Sequence, residues 1–211
     1  MGIDSNIRVV CDDLQRAGGV TQIYLRSWAA GDEVDFVNTA TNHGISSIVD
    51  IGGSTADWQF FDCKAETATL DIAATKENGI TAFECTLSWY IPRMSGTTGS
   101  EDQLDKFHTL QEIVGGIDTG ATCMMAIATD SNGTHWVIGA SEKFSVGGTG
   151  SGEIYRSQTF ADLTGMEGST GSAYQDENGI TVTIMAKQYE LPRAYGGTLD
   201  PTISAGTATT N

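Results

Sequence analysis

The sequence predicts a mainly β fold, a β-sandwich or barrel with long hairpins and one flanking α-helix. Three observations predict it. Apolar and polar residues alternate with period two through Ala68–Ile72 and again through Thr81–Ile91, the pattern of half-buried strands. Asn-Gly pairs stand at Asn78-Gly79 and Asn178-Gly179, where positive φ angles allow tight hairpin turns. Only one segment, Ser100–Val114, combines a helix start signal with an apolar stripe at helical spacing.

Taken in order, Val20–Trp28 and Gly44–Ile51 read as strands. Ala68, Leu70 and Ile72 then alternate with Thr67, Thr69 and Asp71. Lys76-Glu77-Asn78-Gly79 turns the chain into a second arm, in which Thr81, Phe83, Cys85, Leu87, Trp89 and Ile91 oppose Glu84, Thr86 and Ser88. Such an arm spans about 40 Å at ~3.3 Å per residue, and Pro92 ends it. Ser100 and Gln103 form a capping box, Leu104, Phe107, Leu110, Ile113 and Val114 supply the stripe, and Gly115-Gly116 stops the helix. Cys123–Ala128 and His135–Ala140 read as strands joined by an Asp130-Ser131-Asn132-Gly133 turn, and Gly147–Gly152 as a loop. Residues 1–196 are expected to form one β domain, and 197–211 a small polar tail.

One phrase occurs twice. ENGITAFECTLSWYIPR runs over Glu77–Arg93 and ENGITVTIMAKQYELPR over Glu177–Arg193. Structural units recur in this way more readily than catalytic motifs. In the second copy the apolar positions begin on the even side (Ile180, Val182, Ile184) and pass to the odd side at Tyr189 and Leu191. That switch predicts a bulge or a change of neighbour, and two hairpins that do not share one buried face.

Composition narrows the function. A net charge of −16, from 27 acidic and 11 basic residues, argues against a protein that grips nucleic-acid phosphates. No stretch is long and apolar enough for a membrane span, and no secretory leader is expected. Met1–Asn6 nearly fits a myristoylation site, but Asn6 stands where Ser or Thr is needed. Cys11, Cys63, Cys85 and Cys123 lack paired spacing, so free thiols are expected rather than disulfides or zinc.

Catalytic signals are sparse. His43, His108 and His135 show no metal-ligand spacing. Asp130-Ser131-Asn132-Gly133 opens like a calcium loop, yet its twelfth position is Ser141. The glycine-rich loop carries no lysine and fails as a phosphate loop. A non-enzyme without cofactor, metal or catalytic residue is expected.

The segments CDDLQRAGGVTQIYLRSW (Cys11–Trp28), MAIATDSNGTHWVIGASEKF and GSTGSAYQDENGITVTIMAKQYELPRAY resemble tail tube proteins, the major tail subunits of tailed bacteriophages. Gly171, Ser172, Ala173, Asp176, Asn178 and Gly179 carry a turn similar to one in that family. The resemblance covers both ends of the chain and is absent between about residues 30 and 75.

The resemblance implies a virion structural protein that polymerises as stacked hexameric rings. Two long hairpins per subunit would join by strand pairing into a ring-shaped inner barrel, the channel for DNA ejection, assembled in the host cytoplasm. Asn78, Gly79, Asn178 and Gly179 would then set the hairpins for assembly. The lumen would be faced by Glu84, Thr86, Ser88, Thr67, Thr69 and Asp71, carboxylates and hydroxyls past which phosphates slide without sticking. Implied partners are further copies of the chain, other tail proteins (tape measure, baseplate, terminator or sheath) and genomic DNA in transit, with no membrane. The alternatives are another virion β protein, for tail completion or capsid decoration, and a β-sandwich carbohydrate-binding module.

Overall fold

The computed structural model describes residues 18–27, 32–38, 43–50, 58–63, 66–77, 79–92, 124–142, 146–147, 153–154, 159–169, 171, 179–197 and 199. The chain is mainly β. The described residues form thirteen strands and no α-helix; the helix expected at Ser100–Val114 lies outside them. The strands are β1 (Val20–Ser27), β2 (Asp32–Asn38), β3 (His43–Asp50), β4 (Gln59–Asp62), β5 (Thr69–Glu77), β6 (Ile80–Pro92), β7 (Met124–Asp130), β8 (His135–Ile138), β9 (Val146–Gly147), β10 (Glu153–Ile154), β11 (Ala161–Ser169), β12 (Gly179–Gln188) and β13 (Arg193–Tyr195). They join in one hydrogen-bonded path, β5-β6-β12-β11-β7-β8-β13-β3-β2-β10-β9, with β1 bridging β4 and β7. The path is open: among the described residues it does not close into a barrel.

Packing divides this path into layers. β7 is buried on both faces, so its residues alternate between two cores. Met124, Ala126 and Ala128 join Ile23 and Leu25 of β1, Leu87 and Trp89 of β6, and Val182 and Ile184 of β12. Met125 and Ile127 join Tyr24, Val34, Ile45, Ile48, Val137 and Tyr195. The strands β1, β7 and β8 thus share one core with the sheet β5-β6-β12-β11 and the other with the strands around β3. Trp89 is fully buried, with its ring 5.8 Å from that of Phe61. Leu199, in the segment expected to be a tail, packs against the second core.

The Asp130 turn is a hairpin between β7 and β8. One Asp130 oxygen accepts from the backbone N–H groups of Asn132 and Thr134, at 2.8 and 2.9 Å, and the other from Trp136 Nε1 at 3.0 Å. Burial opposes ionisation, but these bonds outweigh it and hold the Asp130 carboxyl below its ordinary range. At the end of the chain's second ENGIT phrase, the buried Arg193 donates to Glu142 and Glu190 and stacks over Phe36 at 4.8 Å. Burial disfavours its charge, yet the two carboxylates raise its pKa. The Pro-Arg ending therefore anchors the strand's exit to the body of the domain.

Candidate functional site

The four strands β5, β6, β12 and β11 form an antiparallel sheet from two hairpins. Contrary to the sequence expectation, the hairpins share one buried face. Ile180, Val182, Ile184 and Ala186 lie opposite Ile91, Trp89, Leu87 and Cys85, and all eight are buried. The predicted bulge in the second copy is absent, since β6 and β12 pair without a register shift from Gly179–Pro92 to Gln188–Phe83. The expected alternative, a change of neighbour, is what occurs: β12 ends at Gln188, and the chain next pairs as β13 with β8 and β3.

Strand pairing gives the repeated phrase its geometry. Partners on β6 and β12 sum to a constant, as in Cys85 opposite Ala186 and Thr86 opposite Met185. A two-fold axis through the first pair would relate residues 101 apart, and through the second 99 apart. The sequence repeat is 100, so it aligns inward-facing Cys85 with outward-facing Met185. The two copies are neighbours, but they are not symmetric equivalents.

The two glycines of the phrase also do different work. Gly79 has φ 84° with open space beyond its Cα, as a tight turn requires. Gly179, expected at a turn, instead opens β12 opposite Pro92. A Cβ there would collide with the Ile91 carbonyl oxygen and the Tyr90 ring, so close approach rather than positive φ demands glycine. The second hairpin's connection spans 170–178. Asn78 and Asn178 lie outside the described residues.

The opposite face of this sheet is polar, and it brings together most of the residues singled out in sequence. Thr69 lies opposite Ser88, Asp71 opposite Thr86, and Ala73 opposite Glu84. Thr69 and Asp71 are exposed; Glu84, Thr86 and Ser88 are half-buried. Thr67 stands two residues ahead of β5 and is partly buried. The rows continue onto β12 and β11, with Thr183 opposite Ser88, Met185 between Thr86 and Asp162, Lys187 opposite Glu84, and Glu167 opposite Thr181. Ser88 Oγ and Thr183 Oγ1 are 3.2 Å apart. Among the described side chains the face therefore carries four carboxylates (Asp71, Glu84, Asp162, Glu167) and one ammonium (Lys187). Lys187, Asp162 and Glu167 escaped sequence reading, because only the pairing of β6 with β12 places them beside Glu84 and Thr86.

Both edges of the sheet are open among the described residues. β5 ends the strand path, and β11 pairs with β7 only where Ala161 meets Met124. Each edge exposes one large apolar side chain from the buried face, Ile72 at 44% on β5 and Met166 at 40% on β11. A groove of about 440 Å³ runs beside the start of β5, walled by Gly19, Thr69, Asp71, Ile72, Asn132 and Trp136 among others.

Among the described residues, no three His, Cys, Asp or Glu side chains gather as a metal site. Among the described residues neither Cys63 nor Cys85 forms a disulfide, and burial pushes the Cys85 thiol up to about 12. No family model, curated protein or solved structure matches the chain.

Proposed function

We propose that the chain is a structural subunit that polymerises through its sheet edges into stacked rings around a channel, as a phage tail tube does. Hexameric rings in a virion tail, with DNA passing through the bore, are the form that the sequence resemblance implies. The observation that carries this reading is the four-stranded sheet itself. One face is buried against the body, the other is polar and acidic, and both edges are open among the described residues.

Strand direction supports ring formation. β5 runs antiparallel to β6, β6 to β12 and β12 to β11, so β5 and β11 run in opposite directions. Rotation about an axis along the strands brings β11 of one copy beside β5 of the next as an antiparallel pair. Repetition closes the ring and leaves neither β5 nor β11 exposed to seed aggregation. Six copies would supply about 24 strands, and at ~4.8 Å per strand a bore roughly 37 Å across at the backbone, wider with tilt. Net acidity facing the bore repels phosphate and leaves no basic wall to hold DNA.

Negative-stain microscopy of the purified chain tests the proposal. Stacked rings or tubes are expected. Single rings or trimers would favour a tail-completion or decoration protein, and monomers at high concentration would favour a binding module; either result overturns the tube reading.

A further inference from the structure

We propose that the two open edges mate between copies in one defined register, with Ile72 opposite Gly168 and Ala74 opposite Met166 of the next copy, and that Asp71 and Glu167 exclude the competing register. The inference rests on the assembly reading above and specifies its joint.

Three constraints select the register. The first is facing. On β5 the buried-face side is Leu70, Ile72 and Ala74, which lie opposite Leu87, Cys85 and Phe83. On β11 it is Leu163, Met166 and Gly168, the register shift between Leu163 and Gly165 changing the parity. A joint that continues one buried face must pair these sets, because a one-residue slip would turn every side chain over.

The second is length. Ala161 is already paired with Met124, so Leu163–Ser169 is the open run, and it must lie along Thr69–Glu77. With the bulge counted, two face-matched registers fit. One sets Ile72 opposite Met166, and the other sets Ile72 opposite Gly168. A shift further toward the hairpin tip puts Leu163 beyond the strand at the turn, and a shift the other way runs past Thr69 to Ala68, whose carbonyl already accepts from Val20 N.

The third is charge and volume. The register with Ile72 opposite Met166 sets Asp71 directly across from Glu167 on the polar face, a like-charge pair some 5 Å apart at every joint. The other sets Asp71 opposite Ser169, Ala73 opposite Glu167 and Thr75 opposite Gly165. It also places each exposed bulky side chain over a small one, Ile72 over Gly168 and Met166 over Ala74, so that the two meet diagonally and cover each other. In this register Ser169, the last residue of the incoming strand, stands opposite Asp71 at the wall of the groove beside Trp136. The occupant of that groove is a second copy of this chain.

Disulfide trapping at the apolar side tests the register while leaving both carboxylates in place. Under mild oxidation of the assembled chain, Ala74→Cys with Met166→Cys should link copies into a covalent ladder. Ile72→Cys with Met166→Cys should link about tenfold more slowly, since partners two residues off register are too far apart for a disulfide. Adding Asp71→Asn to the second pair should raise its linking several-fold, a response that a purely steric register would not give. Faster linking by the Ile72→Cys pair, linking by Ala74→Cys alone (β5 against β5), or tubes that neither pair can trap would overturn the register while leaving the tube reading intact. Absence of any assembly in the microscope would overturn both.

Discussion

Replacing Gly179 with alanine should destabilise the domain by about 1–2 kcal/mol, more than the same change at Gly79. At Gly179 the new Cβ meets the Ile91 carbonyl oxygen and the Tyr90 ring. The ring sits at the end of a half-buried side chain and can swing away. The carbonyl cannot, because Gly179 and Ile180 are held in register against Pro92 and Ile91. Overpacking of this kind costs ~1–3 kcal/mol, and the lower unfolded-state entropy of alanine offsets ~0.4–1 of it. Gly79 meets nothing within 4 Å and asks only for φ 84°, a strain of ~1–2 kcal/mol with the same offset. Urea unfolding at a fixed, low protein concentration measures both changes. In a thermal melt, the upper value of about 2 kcal/mol corresponds to a fall of about 4–8 °C for a chain of this size. Tyr90→Ala added to Gly179→Ala should restore less than half of the loss. A Gly179→Ala cost under ~0.5 kcal/mol, a larger cost at Gly79, or full rescue by Tyr90→Ala would refute the close-approach argument.

Glu84→Lys would set a second ammonium opposite Lys187, so tubes should form with stability lowered by no more than about 1 kcal/mol. DNA ejection from particles carrying it should slow at low salt and recover as salt screens the contacts over ~8–10 Å; unchanged ejection would remove Glu84 from the channel wall. Because Asp130 is held below its ordinary range, the stability it contributes is present above the unfolded carboxyl pKa and is lost as pH falls through the folded value. Asp130→Asn should therefore flatten the acid limb of a stability–pH profile, and Trp136 fluorescence should follow that limb only in the native sequence. With Cys85 buried and its pKa near 12, and Cys63 half-buried, iodoacetamide at pH 8.5 should label Cys63 well before Cys85 by mass spectrometry.

Sequence pattern reveals those strands whose two faces meet different environments. β6 was legible because Cys85, Leu87, Trp89 and Ile91 are buried while Glu84, Thr86 and Ser88 are not fully so. β4 is only four residues long, too short for a period to stand out. β11 carries Gly165, Gly168 and a register shift, which erase alternation; its strand character comes from its partner β12. β7 was found as an apolar run, but burial on both faces removes the alternation that would say where it lies. The candidate site was half legible for a related reason. The polar residues of β5 and β6 declare themselves locally, whereas Lys187, Asp162 and Glu167 join them through pairing between strands about a hundred residues apart. Similarity of words in the repeated phrase predicted two hairpins, but it could not reveal an offset one residue away from symmetry.

The middle strand also bears on how load would travel through such a subunit. β7 presents Ala126 and Ala128 to one core and Met125 and Ile127 to the other. Sliding it by one position would push methionine and isoleucine into a space shaped for alanine and leave voids on the opposite side. Overpacking and cavity formation would then resist the same displacement together. A pull along the hairpin sheet, such as a neighbour in a stack would exert, therefore meets a strand keyed on two sides. The body should yield by rigid rotation or by complete unfolding, with no intermediate slipped state between them.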